Sequence, residues 1–159
     1  LPPFEIQVRN DELQPRIIEA VQAMWEKELG VHATIALLEM KTSIQNQRVM
    51  DYTVGANGWV ADYPDPATFL DLFVTNGGAN WTGWGDATYD RLIAEAAQTA
   101  DPEARFRSFQ QAEAILLEQA PIIPLVYGAR NYLIHPAVKG WDSALIGLYQ
   151  YKKVYLQGP

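Results

Sequence analysis

The pattern of apolar and polar side chains predicts a strand followed by a helix in the first thirty residues. Residues 4–9 alternate between apolar and polar side chains, which is the period of a half-buried strand. Asn10 and Asp11 then offer N-cap side chains, and Gly30 suits the end of a helix. Between them apolar side chains recur at helical spacing, at Ile17, Ile18, Val21, Met24, Trp25 and Leu29.

The same succession of strand and helix continues as far as residue 56. Residues 31–38 are rich in β-branched and apolar side chains and predict a second strand. Residues 41–50 predict a short helix with a polar face, and residues 51–56 a short third strand. Strands that alternate with helices favour right-handed crossovers, so we expect an α/β fold with a mostly parallel sheet flanked by helices.

Glycine and proline interrupt residues 57–86, where residues 67–74 predict one short helix. Two longer helices follow. Asp86 can cap the first, and Asp101-Pro102-Glu103 provides the cap, proline and acid that open the second. The inner face of the first is predicted to hold Tyr89, Leu92, Ile93, Ala96 and Ala97. The apolar stripe of the second consists of Phe106, Phe109, Ala112, Ile115, Leu116 and Ala120.

Three strands are predicted after Pro121, which ends the second helix. They cover residues 122–127, 130–134 and 151–156. Pro124 lacks an N–H group and restricts the first of them to a sheet edge or a bulge. Because no repeat or linker divides the chain, residues 1–159 are expected to form a single α/β domain.

Composition and charge narrow the classes of function. The net charge of −7 disfavours nucleic acid as a partner, since phosphate binding needs a basic surface. No apolar run approaches the roughly 20 residues of a membrane span. The absence of cysteine excludes disulfides and thiol nucleophiles. The sequence begins with Leu1 and shows no signal peptide, so we expect a processed form or a piece of a longer protein.

Catalytic and metal-binding patterns are weak. His32 lies within a predicted strand and His135 precedes a proline, without the Gly-x-Ser-x-Gly motif of a hydrolase or the spacing of a zinc site. We therefore expect no metal and no cofactor. Paired carboxylates could still support glycoside hydrolysis, and the candidates are Asp62, Asp65, Asp71, Asp86 and Asp90.

The glycine-rich stretch of residues 77–85 contains two tryptophans and lacks the phosphate-binding patterns. Two interpretations stay open for it. Either it is a surface loop whose Trp81 and Trp84 pack over the protein, or it is one wall of an aromatic ligand pocket.

Asp62 differs from the other aspartates in its position. It follows closely after the predicted third strand and precedes Tyr63-Pro64. Ligands of open α/β sheets gather at the carboxyl ends of the strands. A carboxylate placed there, between aromatic rings, is well suited to hold a cation.

Residues 59–70, which read Trp-Val-Ala-Asp-Tyr-Pro-Asp-Pro-Ala-Thr-Phe-Leu, resemble the Trp-x-x-Asp-Tyr-x-x-Pro segment of the family 5 extracellular solute-binding proteins. These are the oligopeptide and dipeptide receptors of bacterial ABC importers. The similarity continues in order through residues 89–93, 109–113 and 120–125. Family members are longer and close two lobes on a ligand. The resemblance implies that this chain is most of the carboxy-terminal lobe, with a type II periplasmic-binding-protein-like fold.

The resemblance also implies roles for four residues. Asp62 would pair with the α-ammonium group of a peptide, and the backbone of Gly58 and Val60 would pair with its main chain. This period of two is what an extended ligand beside a strand requires. Trp59 would line a side-chain pocket. Ala56 stands where some members have a basic residue, which leaves the preferred peptide length open.

The function implied is the non-catalytic substrate-binding component of an ABC importer. We expect the periplasm or, as a lipoprotein, the cell surface of a bacterium as its location, and permease subunits as partners of the intact receptor. One alternative is a receptor of the same family for nickel, haem or a sugar oligomer. Others are a small Asp-dependent hydrolase and a module that presents Trp81 and Trp84 to a partner protein.

Overall fold

A parallel three-stranded sheet organises the amino-terminal part of the protein. The computed structural model describes residues 2–129, 131–142, 146–147 and 149–158. The central strand, β1 (Phe4–Arg9), lies between β2 (Ala33–Leu38) and β3 (Val54–Gly55), and both pairings are parallel. In this register Ile6 is opposite Ile35 on one side and Val54 on the other. The predicted parallel sheet is confirmed, although the third strand is shorter than expected.

Two helices connect these strands. α1 (Gln14–Leu29) joins β1 to β2, and α2 (Met40–Arg48) joins β2 to β3. α1 ends as predicted at Gly30, whose φ of 63° is in the left-handed region that glycine adopts without strain. At the other end Oδ1 of Asp11 accepts the N–H of Gln14 at 2.8 Å. The N-cap residue itself is Leu13, which makes no side-chain cap bond, so the prediction of Asn10 or Asp11 as the N-cap is wrong, although Asp11 accepts N–H groups at the start of the helix.

The core of the sheet lies between its strands and α1. Ile6, Val8 and Ile18 are almost fully buried there. The partly buried side chains around them are Phe4, Trp25, Ala33, Ile35, Val54 and Ala56. Met24 and Leu29, predicted on the inner face of α1, are exposed. A sheet of three strands covers only a narrow strip of the helix, so its buried stripe is narrower than its apolar stripe.

A pair of long helices forms a second core. α3 (Ala67–Leu70) packs against α5 (Pro102–Gln119), which in turn packs along α4 (Ala87–Gln98). Asp86 and Asp101 cap α4 and α5 as predicted, by accepting N–H groups of the first turn. The buried side chains of this core are Leu70, Tyr89, Leu92, Ile93, Ala96, Phe109, Ala112 and Leu116.

Three of the predicted inner positions of these helices are wrong. Ala97, Phe106 and Ala120 are exposed, and Phe106 keeps 53% of its surface accessible. The physical reason is that α4 and α5 bury mainly the faces that they turn toward each other, so side chains at the margins of these faces stay exposed.

The first buried turn of α4 holds α3 in place. Tyr89 has no exposed surface, and its hydroxyl donates to the carbonyl of Leu70. Burial raises the pKa of this hydroxyl. α3 is continued by a 3₁₀ turn at Asp71–Phe73, so the short helix predicted here is confirmed apart from its last residue.

The carboxy-terminal region is less regular than predicted. Residues 122–127 and 131–134 form no strand, and Arg130 lies outside the described residues. β4 (Val138–Lys139) pairs antiparallel with β5 (Tyr155–Leu156). Of the last predicted strand, residues 151–156, only the two residues of β5 form a strand. An extended segment becomes a strand when a neighbour supplies hydrogen bonds, and within the described chain no segment pairs with residues 122–127 or 131–134.

Replacing Tyr89 by phenylalanine removes the hydroxyl and leaves the buried Leu70 carbonyl without its donor. We expect Tyr89→Phe to lower the free energy of unfolding by about 1–3 kcal/mol, measured by urea titration. Tyr127→Phe is the matched control, because the Tyr127 side chain is fully exposed. That control should stay within about 0.5 kcal/mol of the parent. Equal stability of the two variants would contradict the assigned role.

Candidate ligand-binding site

The residues from Asn57 to Pro66 follow the carboxyl end of β3 and have no regular secondary structure. They are called here the site segment. Since the strands are parallel, the amino terminus of α1 lies at the same sheet edge. A Cβ atom at Gly58 would lie 3.9 Å from Nε2 of Gln14. Oε1 of Gln14 is buried and has no hydrogen-bond partner among the described residues. A buried acceptor without a described partner therefore lies close to the site segment.

Polar side chains of α2 fix the beginning of the site segment. Gln47 is almost fully buried, and its Oε1 accepts a hydrogen bond from Nδ2 of Asn57 at 2.9 Å. Its Nε2 donates to the Ala56 carbonyl at 3.4 Å. Oδ1 of Asn57 in turn accepts the N–H of Gly58 at 2.8 Å. These contacts determine the direction in which the chain leaves the sheet.

The middle of the site segment has open backbone groups. Trp59 and Val60 keep 43% and 64% of their surface exposed. Within the described part of the chain, neither the N–H nor the carbonyl of Val60 has a partner. The N–H of Gly58 donates to Asn57, whereas no group of the described residues donates to the Gly58 carbonyl. The stretch thus offers main-chain donors and acceptors to an extended ligand.

Asp62 follows this open stretch. Its backbone N–H donates to Oγ1 of Thr68 at 3.0 Å, and Thr68 is almost fully buried in α3. The side chain of Asp62 is exposed, and no described group donates to its carboxylate. Asp62 is therefore held by its backbone while its carboxylate oxygens stay free for a ligand.

An ion pair with α5 fixes the far end of the site segment. The two terminal nitrogens of Arg105 donate to the two carboxylate oxygens of Asp65, at 2.7 and 2.8 Å. Oδ1 of Asp65 also accepts the N–H of Ala67 at 2.9 Å. The hydrogen bonds from Arg105 are the main cause that lowers the pKa of Asp65. Asp65 is committed to this structural role.

Three carboxylates surround Tyr63. Burial raises the pKa of the Tyr63 hydroxyl, and Asp71, Asp65 and Asp62 raise it further. Burial and the nearby Asp65 also raise the pKa of Asp71. Arg105 acts in the opposite direction on both groups, but the carboxylates near Tyr63 outnumber it. An excess of carboxylates favours a cationic ligand group.

Two of the other aspartate candidates, Asp86 and Asp90, accept hydrogen bonds from helix and turn groups. Oδ1 of Asp86 accepts the N–H groups of Thr88 and Tyr89, and its Oδ2 accepts Nε2 of Gln119 at 2.9 Å. Oδ1 of Asp90 accepts the N–H of Thr75. Asp65 is paired as well, so among the five candidates only Asp62 and Asp71 have carboxylates to which no described group donates.

The glycine-rich loop packs over the second core. Trp84 lies edge-on to Tyr89, with a ring-centroid distance of 5.0 Å, and its Nε1 donates to Gln119. Nδ2 of Asn80 donates to three carbonyls, including that of Trp84 at 2.9 Å. The Trp81 carbonyl accepts the Tyr52 hydroxyl. These contacts favour the packing interpretation and leave Trp84 unavailable to a partner protein.

Neither histidine joins the site. Nδ1 of His32 lies 3.3 Å from Glu26 at the surface, and Nδ1 of His135 accepts the N–H of Ala137. The described residues contain no group of three or more histidine or acidic side chains suited to a metal ion. In the same part of the chain no helix combines the length and apolarity that crossing a membrane requires.

The residues that hold the site segment are not apparent from the sequence pattern. Ser43 and Gln47 are four positions apart on one face of α2, and both are buried. Helical spacing could have identified them as polar positions on an inner face. Arg105 lies 40 positions after Asp65, and no local pattern links the two.

Comparison with known proteins gives consistent matches. Residues 1–81 match the model for bacterial extracellular solute-binding proteins, family 5 Middle. The dipeptide-binding protein DppE of Bacillus subtilis is 35% identical over 125 residues, which cover 79% of this chain and 23% of DppE. The probable deoxycholate-binding periplasmic protein YgiS of Escherichia coli is 33% identical over 150 residues, covering 94% of this chain and 28% of YgiS.

A solved structure gives the same result. The murein tripeptide binding protein MppA of Escherichia coli matches with a TM-score of 0.87 and 30% identity, over 97% of this chain and 30% of MppA. This likeness confirms the predicted fold class. The chain spans less than a third of the length of these relatives.

The Asp65–Arg105 pair predicts how stability depends on pH. The pKa of Asp65 lies below its ordinary value of 3.8 in the folded protein. Its contribution to stability is therefore complete above the unfolded-state pKa and is lost as the pH falls through the lowered folded-state pKa. Between about pH 4 and 2, the free energy of unfolding should therefore fall less in Asp65→Asn than in the parent protein. Urea titrations at a series of pH values measure this difference.

Asp51→Asn is the control for this experiment, because Asp51 is exposed and no described group contacts its carboxylate. It should leave the pH dependence of the parent unchanged. An equally steep loss in Asp65→Asn and the parent would contradict the prediction.

Proposed function

Because the chain belongs to the bacterial extracellular solute-binding proteins of family 5, we propose that it is part of a receptor that binds peptides for import. The observation that carries this proposal is the open backbone at Gly58 and Val60, followed by the free carboxylate of Asp62. This succession matches the main chain and amino terminus of an extended peptide.

A peptide placed along this stretch would use two kinds of contact. The carbonyl of Gly58 and both backbone groups of Val60 pair with its main chain, which reads no sequence and so accepts many side chains. Asp62 accepts its α-ammonium group. Trp59, exposed between these positions, forms one wall of a side-chain pocket.

We propose that residues 1–159 supply most of the carboxy-terminal lobe of this receptor. The ligand is then enclosed against a second lobe, for which the greater length of DppE and MppA leaves ample chain. Enclosure matters because an ion pair shielded from water is far stronger than one at the surface. Asp62 becomes an effective ammonium site only in the closed receptor.

The proposed role is non-catalytic delivery of the peptide to the permease subunits of an ABC importer. The extracellular description of the family and the peptides named for DppE and MppA support this role. The corresponding location is the periplasm, or the cell surface if the receptor is a lipoprotein.

A receptor for a non-peptide solute is the second candidate, and the similarity to YgiS favours it. Deoxycholate is an anionic amphiphile, and the free carboxylate of Asp62 would repel its charge. Calorimetry on the longer receptor that contains this chain separates the candidates. Binding of deoxycholate together with no binding of trialanine would select the second.

Replacing Asp62 by asparagine tests the ammonium contact. Loss of one partner of an enclosed ion pair costs about 2–5 kcal/mol, so we expect Asp62→Asn to weaken trialanine binding by at least about thirtyfold. Trialanine with an acetylated amino terminus should bind the parent receptor as weakly as free trialanine binds the Asp62→Asn variant. Asp51→Asn is the matched control and should bind like the parent. Equal binding of free and acetylated peptide would contradict the role of Asp62.

The chain by itself should bind peptides poorly. Half of the cleft wall is missing from it, so the ammonium group and main chain of the peptide stay in water. We expect calorimetry to detect no trialanine binding up to about millimolar concentration. A dissociation constant of about 1 mM corresponds to a binding free energy of only ~4 kcal/mol. A micromolar dissociation constant for the isolated chain would contradict the two-lobed proposal.

A further inference from the structure

We infer that Arg105 is a positioning residue for Asp62, which it orients through Asp65 and α3 without touching the ligand. The inference rests on the proposed function, in which Asp62 receives the ligand. It concerns a residue on α5, far along the sequence from the site segment.

The guanidinium group of Arg105 contacts the site segment, α4 and the Phe109 ring of its own helix, α5. The terminal nitrogens hold Asp65 of the site segment at 2.7 and 2.8 Å. Nε donates to the Ala96 carbonyl near the end of α4 at 3.2 Å. The guanidinium carbon lies 4.6 Å from the centroid of the Phe109 ring, and Phe109 is buried in the second core. Arg105 is therefore itself fixed before it fixes Asp65.

A short series of hydrogen bonds leads from Asp65 to Asp62. Asp65 accepts the N–H of Ala67 with its side chain and that of Thr68 with its carbonyl, at 2.9 and 3.3 Å. Oγ1 of Thr68 accepts the N–H of Asp62 at 3.0 Å. Because Thr68 is almost fully buried, it has little freedom to follow Asp62 if the turn moves. The orientation of the Asp62 backbone thus depends on the position of Asp65.

The geometry of this pair distinguishes it from the other arginine pairs of the same helices. Arg91 contacts Glu95, and Arg107 contacts Glu103 at 3.8 Å, both within one helix and both largely exposed. The side chains of Arg105 and Asp65 keep only 30% and 29% of their surface. A bidentate pair that is shielded and joins two elements restricts their relative position, which an exposed pair within one helix does not do.

Arg105 has an electrostatic role as well. It neutralises Asp65, the carboxylate nearest to Asp62 in the sequence, while the charge of Asp62 stays unpaired. The negative potential is thereby concentrated on the carboxylate that receives the ligand. A lysine could supply the charge and would lack the two parallel hydrogen bonds.

Amide hydrogen exchange on this chain tests the inference without any ligand. In Arg105→Gln we expect the Asp62 and Ala67 amides to exchange about tenfold faster or more. The Ala56 amide, bonded to the Gln7 carbonyl in the sheet at 2.8 Å, should keep its rate. Arg107→Gln is the matched control on the same helix and should change none of these rates. An unchanged Asp62 rate, or equal acceleration at Ala56, would overturn the inference.

Asp65→Asn is the second variant, in case Arg105→Gln does not fold. It leaves the contacts of Arg105 with Ala96 and Phe109 in place and weakens the link to the site segment. The Asp62 amide should again exchange faster while Ala56 stays unchanged. In Arg105→Lys, which keeps the charge, the Asp62 amide should be protected better than in Arg105→Gln and less than in the parent. An Asp62 rate equal to the parent in Asp65→Asn would overturn the inference.

Binding to the longer receptor provides the functional measurement. We expect Arg105→Gln to lower the ratio of trialanine to N-acetyltrialanine affinity by about tenfold, equivalent to ~1.4 kcal/mol, because the Asp62 contact with the ammonium is misaligned. Arg107→Gln should keep the parental ratio. An unchanged ratio in Arg105→Gln would overturn the inference. If the parent binds neither peptide, the proposed function fails, whereas the exchange result on Asp62 stands by itself.

Discussion

The site segment has no regular secondary structure, and its polar backbone must therefore be held by side chains or by a ligand. Asn57, supported by Gln47, holds its beginning, and Asp65, supported by Arg105, holds its end. Between these two anchors the backbone of Val60 has no partner within the described chain. Because both ends are fixed, the open groups in the middle are kept in place and remain available, which is the condition for binding an extended ligand without a large cost in ordering.

The two anchors belong to different cores. Gln47 lies on α2, beside the sheet whose centre is Ile6, and Arg105 lies on the helix pair whose centre is Tyr89. The site segment passes from one to the other, so its shape depends on both. A change in the packing of α5 is consequently expected to affect the site through the Arg105–Asp65 pair, although no residue of α5 contacts the proposed ligand position.

The aspartates illustrate how one residue type serves different purposes according to its partners. Asp86 caps a helix and Asp65 completes an ion pair, and in both cases hydrogen-bond donors lower the pKa of the carboxyl. Asp62 has no donor of this kind among the described residues. A carboxylate that is unpaired and sits at the carboxyl edge of a parallel sheet is free to meet a cationic group from outside. The role proposed for it depends on the absence of a described internal partner, which the residue type does not reveal.

The sequence by itself determined the features that depend on near neighbours. Apolar periodicity located the first strands and helices, and Asp86, Asp101 and Gly30 marked helix ends through contacts within one turn. The motif around Asp62 indicated the family. Only the tertiary structure decided what depends on distant residues. Residues 122–127 and 131–134 have a strand-like pattern and no described strand beside them. Phe106 has helical spacing and is exposed. The pairing of Asp65 with Arg105, which leaves Asp62 without a described partner beside it, joins positions 40 apart and exists only in the folded chain.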